Sequence, residues 1–214
     1  MNDDPLIVWG IGTSRTMRVH WMLQELGLDY ETKPIAARSG ETSDAHYRQI
    51  NPKRKIPCLQ HGSLSLTEGH AILHYLSSLA DSPVEAEYQR SILGRARYDE
   101  WSSFILMELD ATSLYVMRRH QDLHEIYGEA ANANRAAREY FLKQLHAVLD
   151  SIPPEDGFLW GSQFSEIDIL MVTCLDWASH YRIPLPERAS RYRERIISRP
   201  GYKRAFAANY RSPD

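Results

Sequence analysis

Two adjacent hydroxyls, Thr13 and Ser14, follow a short apolar run and open a helix-like pattern, with Arg15 and Arg18 close behind. A hydroxyl at a helix N-terminus can donate to an anion that the helix dipole already favours. Aimed at sulfur, it would lower a thiol's pKa from its ordinary value of about 8.5 and raise the thiolate fraction at neutral pH. Helix capping uses the same residue types and does not exclude catalysis. Farther along, Pro57 pushes Ile56 toward extended geometry, and an X-Pro bond is where a cis peptide is affordable. A cis proline just before a strand would leave the backbone of Ile56 free to pair with an extended peptide. Glu68 then supplies a carboxylate for an ammonium, at the start of a helix whose N–H groups suit a carboxylate. A carboxylate–ammonium zwitterion at the end of a short peptide fits all of these.

The residues carrying this chemistry form a recognisable pattern. Asn51-Pro52-Lys53-Arg54-Lys55-Ile56-Pro57, followed by Glu68-Gly69-His70-Ala71-Ile72 and Tyr75-Leu76, resembles the NPxGKxPxL and ExxAIxxYL signatures of the glutathione transferase family. The Ser165-to-Asp168 capping pattern and Arg199-Pro200-Gly201-Tyr202-Lys203-Arg204-Ala205 resemble the family's later elements, so the likeness runs from Leu6 to about Phe206. The resemblance implies glutathione as substrate, held at Lys55, Ile56, Pro57, Glu68 and Gly69, with Lys55 meeting its glycyl carboxylate. It also implies a homodimer with a role in detoxification. Counting back from Arg18-Val19, Thr13 falls where several serine-type classes carry their hydroxyl. The string Thr13-Ser14-Arg15 instead resembles the TSR and NSR starts of bacterial and fungal members, which favours Ser14. Both stay candidates.

Two positions depart from the family pattern. Gly69 stands where serine is usual, which removes a hydroxyl bond worth ~1–2 kcal/mol of glutathione affinity. Arg54 replaces a glycine and completes a basic trio with Lys53 and Lys55. With neither cysteine nor tyrosine in the Thr13–Ser14 loop, dithiol chemistry and a tyrosine-type class are disfavoured. The resulting expectation is conjugation of glutathione to a hydrophobic electrophile. A binding or regulatory module without turnover, and a peroxidase or dehalogenase on the same fold, are the alternatives.

Elements must position these groups. Leu6-Ile7-Val8-Trp9 reads as a buried strand, and Val19, Met22, Leu23 and Leu26 recur at helical spacing up to Gly27. Tyr30 to Ile35 reads as a second strand, Ala36 to Asp44 as a loop, and a short helix reaches Ile50. A hairpin turns at His61-Gly62, and a helix follows with Thr67 as N-cap and Ala71, Ile72, Tyr75, Leu76 and Leu79 on one face. The order β-α-β-α-β-β-α is that of a thioredoxin-like domain, an α/β fold expected over residues 1–80. Ala80-Asp81-Ser82-Pro83 breaks the pattern as a linker. An all-α domain is expected over 85–214. Its first helical stretch carries Ile92, Ala96, Trp101, Ile105, Leu109 and Tyr115, and a second runs from Arg138 to Leu149 with Phe141, Leu145 and Val148 inward. Met107, Leu114 and Tyr115 are candidates for a hydrophobic co-substrate pocket, although such stripes are more often core.

The chain has 214 residues, enough for one large or two small domains, and a net charge of −3 without a basic block, which disfavours nucleic acid. Its two cysteines, Cys58 and Cys174, show neither metal spacing nor a disulfide framework, which suits a reducing cytoplasm. His70 and His74 sit at i and i+4 without a legible third ligand, so no metal is expected. No apolar run approaches ~18 residues, and residues 1–20 lack the pattern of a secretory leader, so neither membrane nor export is expected.

Overall fold

The computed structural model describes residues 4–80, 91–160 and 162–210. Two compact units divide the chain. One holds the residues up to 80 together with those from 198 to 210, and the other holds residues 91–197.

The first unit is built on a four-stranded sheet in the order β2-β1-β3-β4. Strand β1 (Leu6–Ile11) is buried at Leu6 and from Val8 to Ile11, as its apolar run requires. It pairs in parallel with β2 (Tyr30–Ala36) and antiparallel with β3 (Cys58–His61), which pairs antiparallel with β4 (Leu64–Thr67). Helix α1 (Ser14–Leu26) crosses from β1 to β2 and ends on Gly27 in the left-handed region. A short α2 (Ala45–Ile50) precedes the signature loop, and α3 (Gly69–Leu79) follows β4. The expected α/β thioredoxin-like order is present. Residues 81–83 of the expected linker lie outside the described residues.

Several local expectations change. Thr67 is not the cap of α3 but the last residue of β4, paired with Cys58. The chain enters the helix through Glu68, which takes the N-cap position at φ 75° and gives no side-chain cap bond. The buried stripe of α3 is Ile72, Leu73 and Leu76, whereas Ala71 is exposed. Helix α1 is buried at every position from Thr16 to Leu23 rather than along one stripe. A helix buried all round must be covered on several sides, and a last helix supplies one of them.

That last helix, Pro200–Asn209, belongs with the first unit, not with the helical residues before it. Arg199 forks onto Glu25 through Nε at 3.0 Å and Nη2 at 2.7 Å, and Tyr202 packs edge-on against Trp21. The expected division, which gave everything after 85 to the second domain, is therefore corrected at its C-terminal end.

The second unit is helical throughout its regular elements. Helix α4 (Ile92–Phe104) runs into a π-helical segment, Ile105–Leu114, and then α5 (Tyr115–His120). Ser113 Oγ donates to the carbonyl of Glu108, five residues back, at 2.6 Å. The inward positions are Tyr98, Ser102, Ile105 and Leu109, whereas Ile92 is 79% exposed and Ala96 is exposed. A short α6 (His124–Tyr127) leads to α7 (Ala131–Ala147), which buries Phe141 and Leu145 and begins seven residues before Arg138. Helix α8 (Glu166–His180) is buried along almost its whole length and opens with the expected Ser165–Asp168 capping box. Asp168 accepts from the amides of Leu159 and Ser165 and from the hydroxyls of Ser165 and Tyr192. Helix α9 (Glu187–Ile197) completes the unit, and the last helix is α10 (Pro200–Asn209).

Candidate active site

The register of the sheet gathers three of the expected groups at one edge. Trp9 of β1 lies opposite Cys58, the first residue of β3, and Cys58 lies opposite Thr67, the last of β4. The loop after β1, the cis Ile56–Pro57 bond before β3 and the Glu68–Gly69 turn after β4 therefore share one end of the sheet. Gly10 permits this convergence. It has a φ of 114°, and a Cβ there would lie 2.5 Å from that of Ile56. Only glycine passes so close to Ile56 in this conformation.

The hydroxyl pair after β1 is divided by hydrogen bonding. Thr13 is the N-cap of α1: its Oγ1 accepts from the amide of Thr16, and its own amide donates to Thr16 Oγ1, both at 3.0 Å. The Thr13 and Thr16 hydroxyls also lie 3.0 Å apart. Thr13 is thus committed to the cap. Ser14, the first residue of α1, is half-buried, and its hydroxyl has no hydrogen-bond partner among the described residues.

Two residues outside the signatures hold this loop. His20, fully buried, reaches the carbonyl of Gly10 through Nε2 at 3.1 Å and the Tyr30 hydroxyl through Nδ1 at 3.0 Å. Asn209, at the end of α10 and also fully buried, accepts from Thr16 Oγ1 at 2.7 Å and donates from Nδ2 to the Thr13 carbonyl at 3.1 Å. The Gly12 amide meets both the backbone carbonyl of Asn209, at 2.8 Å, and its Oδ1, at 3.2 Å. His20 is marked in the sequence only as a polar residue inside an apolar helix pattern; nothing local marks Asn209.

The signature loop is organised by Asn51. Its Oδ1 accepts from the Lys53 amide at 3.0 Å, and its Nδ2 donates to the Lys55 carbonyl at 2.7 Å, where the Tyr47 hydroxyl also donates. Burial pushes the Tyr47 hydroxyl up to about 12, so it remains a donor at any ordinary pH. Neither the amide nor the carbonyl of the next residue, Ile56, has a partner among the described residues.

The basic trio does not form one patch. Lys53 Nζ donates to Glu68 Oε1 and Thr67 Oγ1, each at 2.9 Å. Arg54, at φ 54°, lines an open groove of about 630 Å3 with Ala45, Arg48, Gln49 and Pro52. The φ explains why glycine is usual at that position. Lys55 is exposed. At Gly69 a Cβ would meet nothing within 4 Å, so its missing side chain answers to no steric demand.

The co-substrate candidates fare differently. In the second unit Leu114 is wholly buried and is a core residue, which removes it as a pocket wall. Met107 is 58% exposed, and Tyr115 is half-buried with the Arg119 guanidinium 5.1 Å from its ring centre. Periodicity placed these three together, but the π-helical segment changes the angular step between them. Among the described residues, no group of three or more His, Cys, Asp or Glu side chains is placed to hold a metal ion. No described helix is long and apolar enough to cross a membrane.

The thioredoxin-like sheet thus brings a hydroxyl-bearing loop, a cis proline and a helix N-terminus without a side-chain cap to one end. Residues 4–78 match the model of the glutathione S-transferase N-terminal domain. The chain is similar to the Arabidopsis thaliana glutathione S-transferase TCHQD, with 25% identity over 228 residues, spanning 89% of this chain and 85% of that protein. It is also similar to mouse (Mus musculus) glutathione S-transferase theta-3, with 26% identity covering 72% of this chain and 65% of that one. The fold matches the theta class glutathione S-transferase of Xanthomonas axonopodis pv. citri, solved with glutathione bound, at a TM-score of 0.77 and 20% identity over 98% of this chain and 99% of that one. Residues 4–78 thus carry the features of a glutathione S-transferase N-terminal domain, and the chain as a whole shares the fold of that solved structure.

Proposed function

We propose that the protein is a glutathione transferase that binds glutathione at the sheet edge and transfers its thiolate to a hydrophobic electrophile. The observation that carries this reading is the meeting at one end of the sheet of a Ser14 hydroxyl, an Ile56 backbone and an α3 N-terminus, the first two without a hydrogen-bond partner among the described residues and the third without a side-chain cap. In this reading the Ile56 amide and carbonyl pair with the cysteinyl backbone of glutathione. Glu68 takes the γ-glutamyl ammonium, and the Gly69 amide with the dipole of α3 takes the γ-glutamyl carboxylate. Lys55 meets the glycyl carboxylate. Ser14 donates a hydrogen bond to sulfur, which favours loss of the thiol proton to solvent, and Thr13, whose oxygen accepts the cap bond and whose hydroxyl lies 3.0 Å from Thr16 Oγ1, is the second candidate. The thiolate then attacks the electrophile, forming the carbon–sulfur bond as the leaving group departs with its electron pair. Thiolate stabilisation and proximity of two bound reactants supply the rate gain.

The test is a pair of variants assayed with an activated aryl halide. Ser14→Ala should leave glutathione affinity within a few-fold, because one hydrogen bond to sulfur is worth ~1 kcal/mol, while moving the pH midpoint of turnover up toward about 8.5. Glu68→Ala should weaken binding and leave the midpoint in place. If Ser14→Ala leaves the midpoint unmoved, the assignment of Ser14 is wrong.

A second reading, a binding or regulatory module without turnover, draws on Gly69, which brings no side-chain hydroxyl to the start of α3. Glutathione binding by the unmodified protein, with no conjugation of any electrophile offered, would select it.

A further inference from the structure

We infer that Asn209 is the positioning residue of the thiol-activating loop, setting the direction of the Ser14 hydroxyl from the far end of the chain. The inference rests on the proposed role of Ser14. Asn209 turns both polar atoms of its side chain and its carbonyl on the loop: Oδ1 for Thr16 and Gly12, Nδ2 for the Thr13 carbonyl, and its own carbonyl for the Gly12 amide. These contacts span 193 to 197 residues of sequence. They fix the residues before, at and after the cap of α1, so the first helical residue, Ser14, has no freedom left in its backbone. They also keep Thr13 in the cap. Thr16 Oγ1 lies 2.7 Å from Asn209 Oδ1, 2.9 Å from the Thr13 carbonyl and 3.0 Å from the Thr13 hydroxyl, so its one proton has three acceptors within reach and Asn209 offers the shortest bond. Without Asn209, Thr16 Oγ1 can turn its proton toward Thr13, and the two hydroxyls of the loop lose their fixed division of roles.

The geometry also says why the side chain is separable from the fold. The Gly12 amide bonds the backbone carbonyl of residue 209, and this bond survives any substitution there. Helix α10 is held independently by Arg199 on Glu25 and by Tyr202 on Trp21. Asn209→Ala therefore keeps the helix docked while freeing the loop.

The experiment follows the ultraviolet absorbance of the bound glutathione thiolate against pH in the full-length chain, with calorimetric glutathione affinity alongside. Asn209→Ala should raise the pKa of the bound thiol by about one unit, a tenfold loss of thiolate below the midpoint, with affinity changed less than about threefold. In a Ser14→Ala background the same substitution should add nothing, because it acts through Ser14. If Asn209→Ala does not fold, Thr16→Val removes the hydroxyl that Asn209 holds and carries the same expectation. A shift with Ser14→Ala but none with Asn209→Ala, or with Thr16→Val in its place, overturns this inference alone. No shift with Ser14→Ala overturns the Ser14 reading and this inference with it. Equal and additive shifts in both backgrounds would make Asn209 merely structural and also overturn it.

Discussion

Gly69→Ser is the substitution whose outcome the structure fixes most closely. Gly69 is the first residue of α3, it does not lie in the left-handed region, and a Cβ there meets nothing within 4 Å. A serine therefore enters without strain or collision, and its hydroxyl lies at the helix end proposed to hold the γ-glutamyl carboxylate. A hydrogen bond to a charged group is worth ~1.5–3 kcal/mol, and partial exposure puts this one toward the low end. At ~1.5 kcal/mol, the glutathione Kd should fall about tenfold.

The control is Gly69→Ala. Both substitutions remove a glycine from a helix and reduce the freedom of the unfolded chain, so both should raise stability by ~0.5 kcal/mol. Only serine brings the hydroxyl. Calorimetric titration of glutathione into the unmodified protein and the two variants separates the effects. If Gly69→Ser binds no more tightly than Gly69→Ala, the carboxylate is not at the N-terminus of α3, and the orientation assigned to glutathione is wrong.

Asp168→Ala should cost ~3–5 kcal/mol in denaturant unfolding, because a wholly buried carboxylate that accepts four hydrogen bonds leaves all four donors unpaired; a loss below ~1 kcal/mol would contradict the capping-box account of α8. Burial pushes the Cys58 thiol up to about 11, and Cys174 is equally buried, so the native protein at pH 8 should react slowly with a disulfide reagent and release both thiols only on unfolding. Rapid labelling of the folded protein would refute that burial. Ile92 and Leu93, 79% and 71% exposed at the start of α4, give the proposed homodimer apolar surface to cover. Sedimentation at micromolar concentration should give about twice the 24.7 kDa chain mass, and a monomer alone would exclude it.

What the sequence made legible was local. The hairpin at His61-Gly62, the Gly27 stop and the Ser165–Asp168 box each rest on residues within a few positions of one another, and each appears as expected. The Ile56–Pro57 bond is cis, also as expected. Thr13-x-x-Thr16 was a capping box in plain view, with threonine in the place where glutamate is usual. The misses have another origin. Helix α1 is covered by α3 and β1 and, on a further side, by α10, whose determinants, Arg199, Tyr202 and Asn209, lie more than 170 residues from their partners. Periodicity describes one element at a time and is silent on which distant helix covers a face. Leu114 was misplaced for a related reason: a stripe at α-helical spacing is meaningless across a π-helical segment. Thr67 and Glu68 differ by one position, and the cap moved to Glu68 because the chain leaves β4 through a single residue at positive φ.

The groups assigned to glutathione share a physical property: each is what remains after the fold has satisfied its neighbour. Thr13 serves the cap of α1 and leaves Ser14. The Lys55 carbonyl takes Tyr47 and Asn51 and leaves Ile56. Glu68 enters α3 without capping it and leaves the first N–H groups of the helix to a ligand. The Glu68 carboxylate alone is already engaged, by Lys53 at 2.9 Å. Both side chains of that pair are more than half exposed, 55% and 73%, and an exposed pair of this kind is worth under ~1 kcal/mol. A ligand ammonium held at its other end by Ile56 and the α3 N-terminus meets Glu68 as an intramolecular partner, at a high effective concentration. Lys53 therefore yields to it at small cost, and an engaged Glu68 is compatible with a working glutathione site.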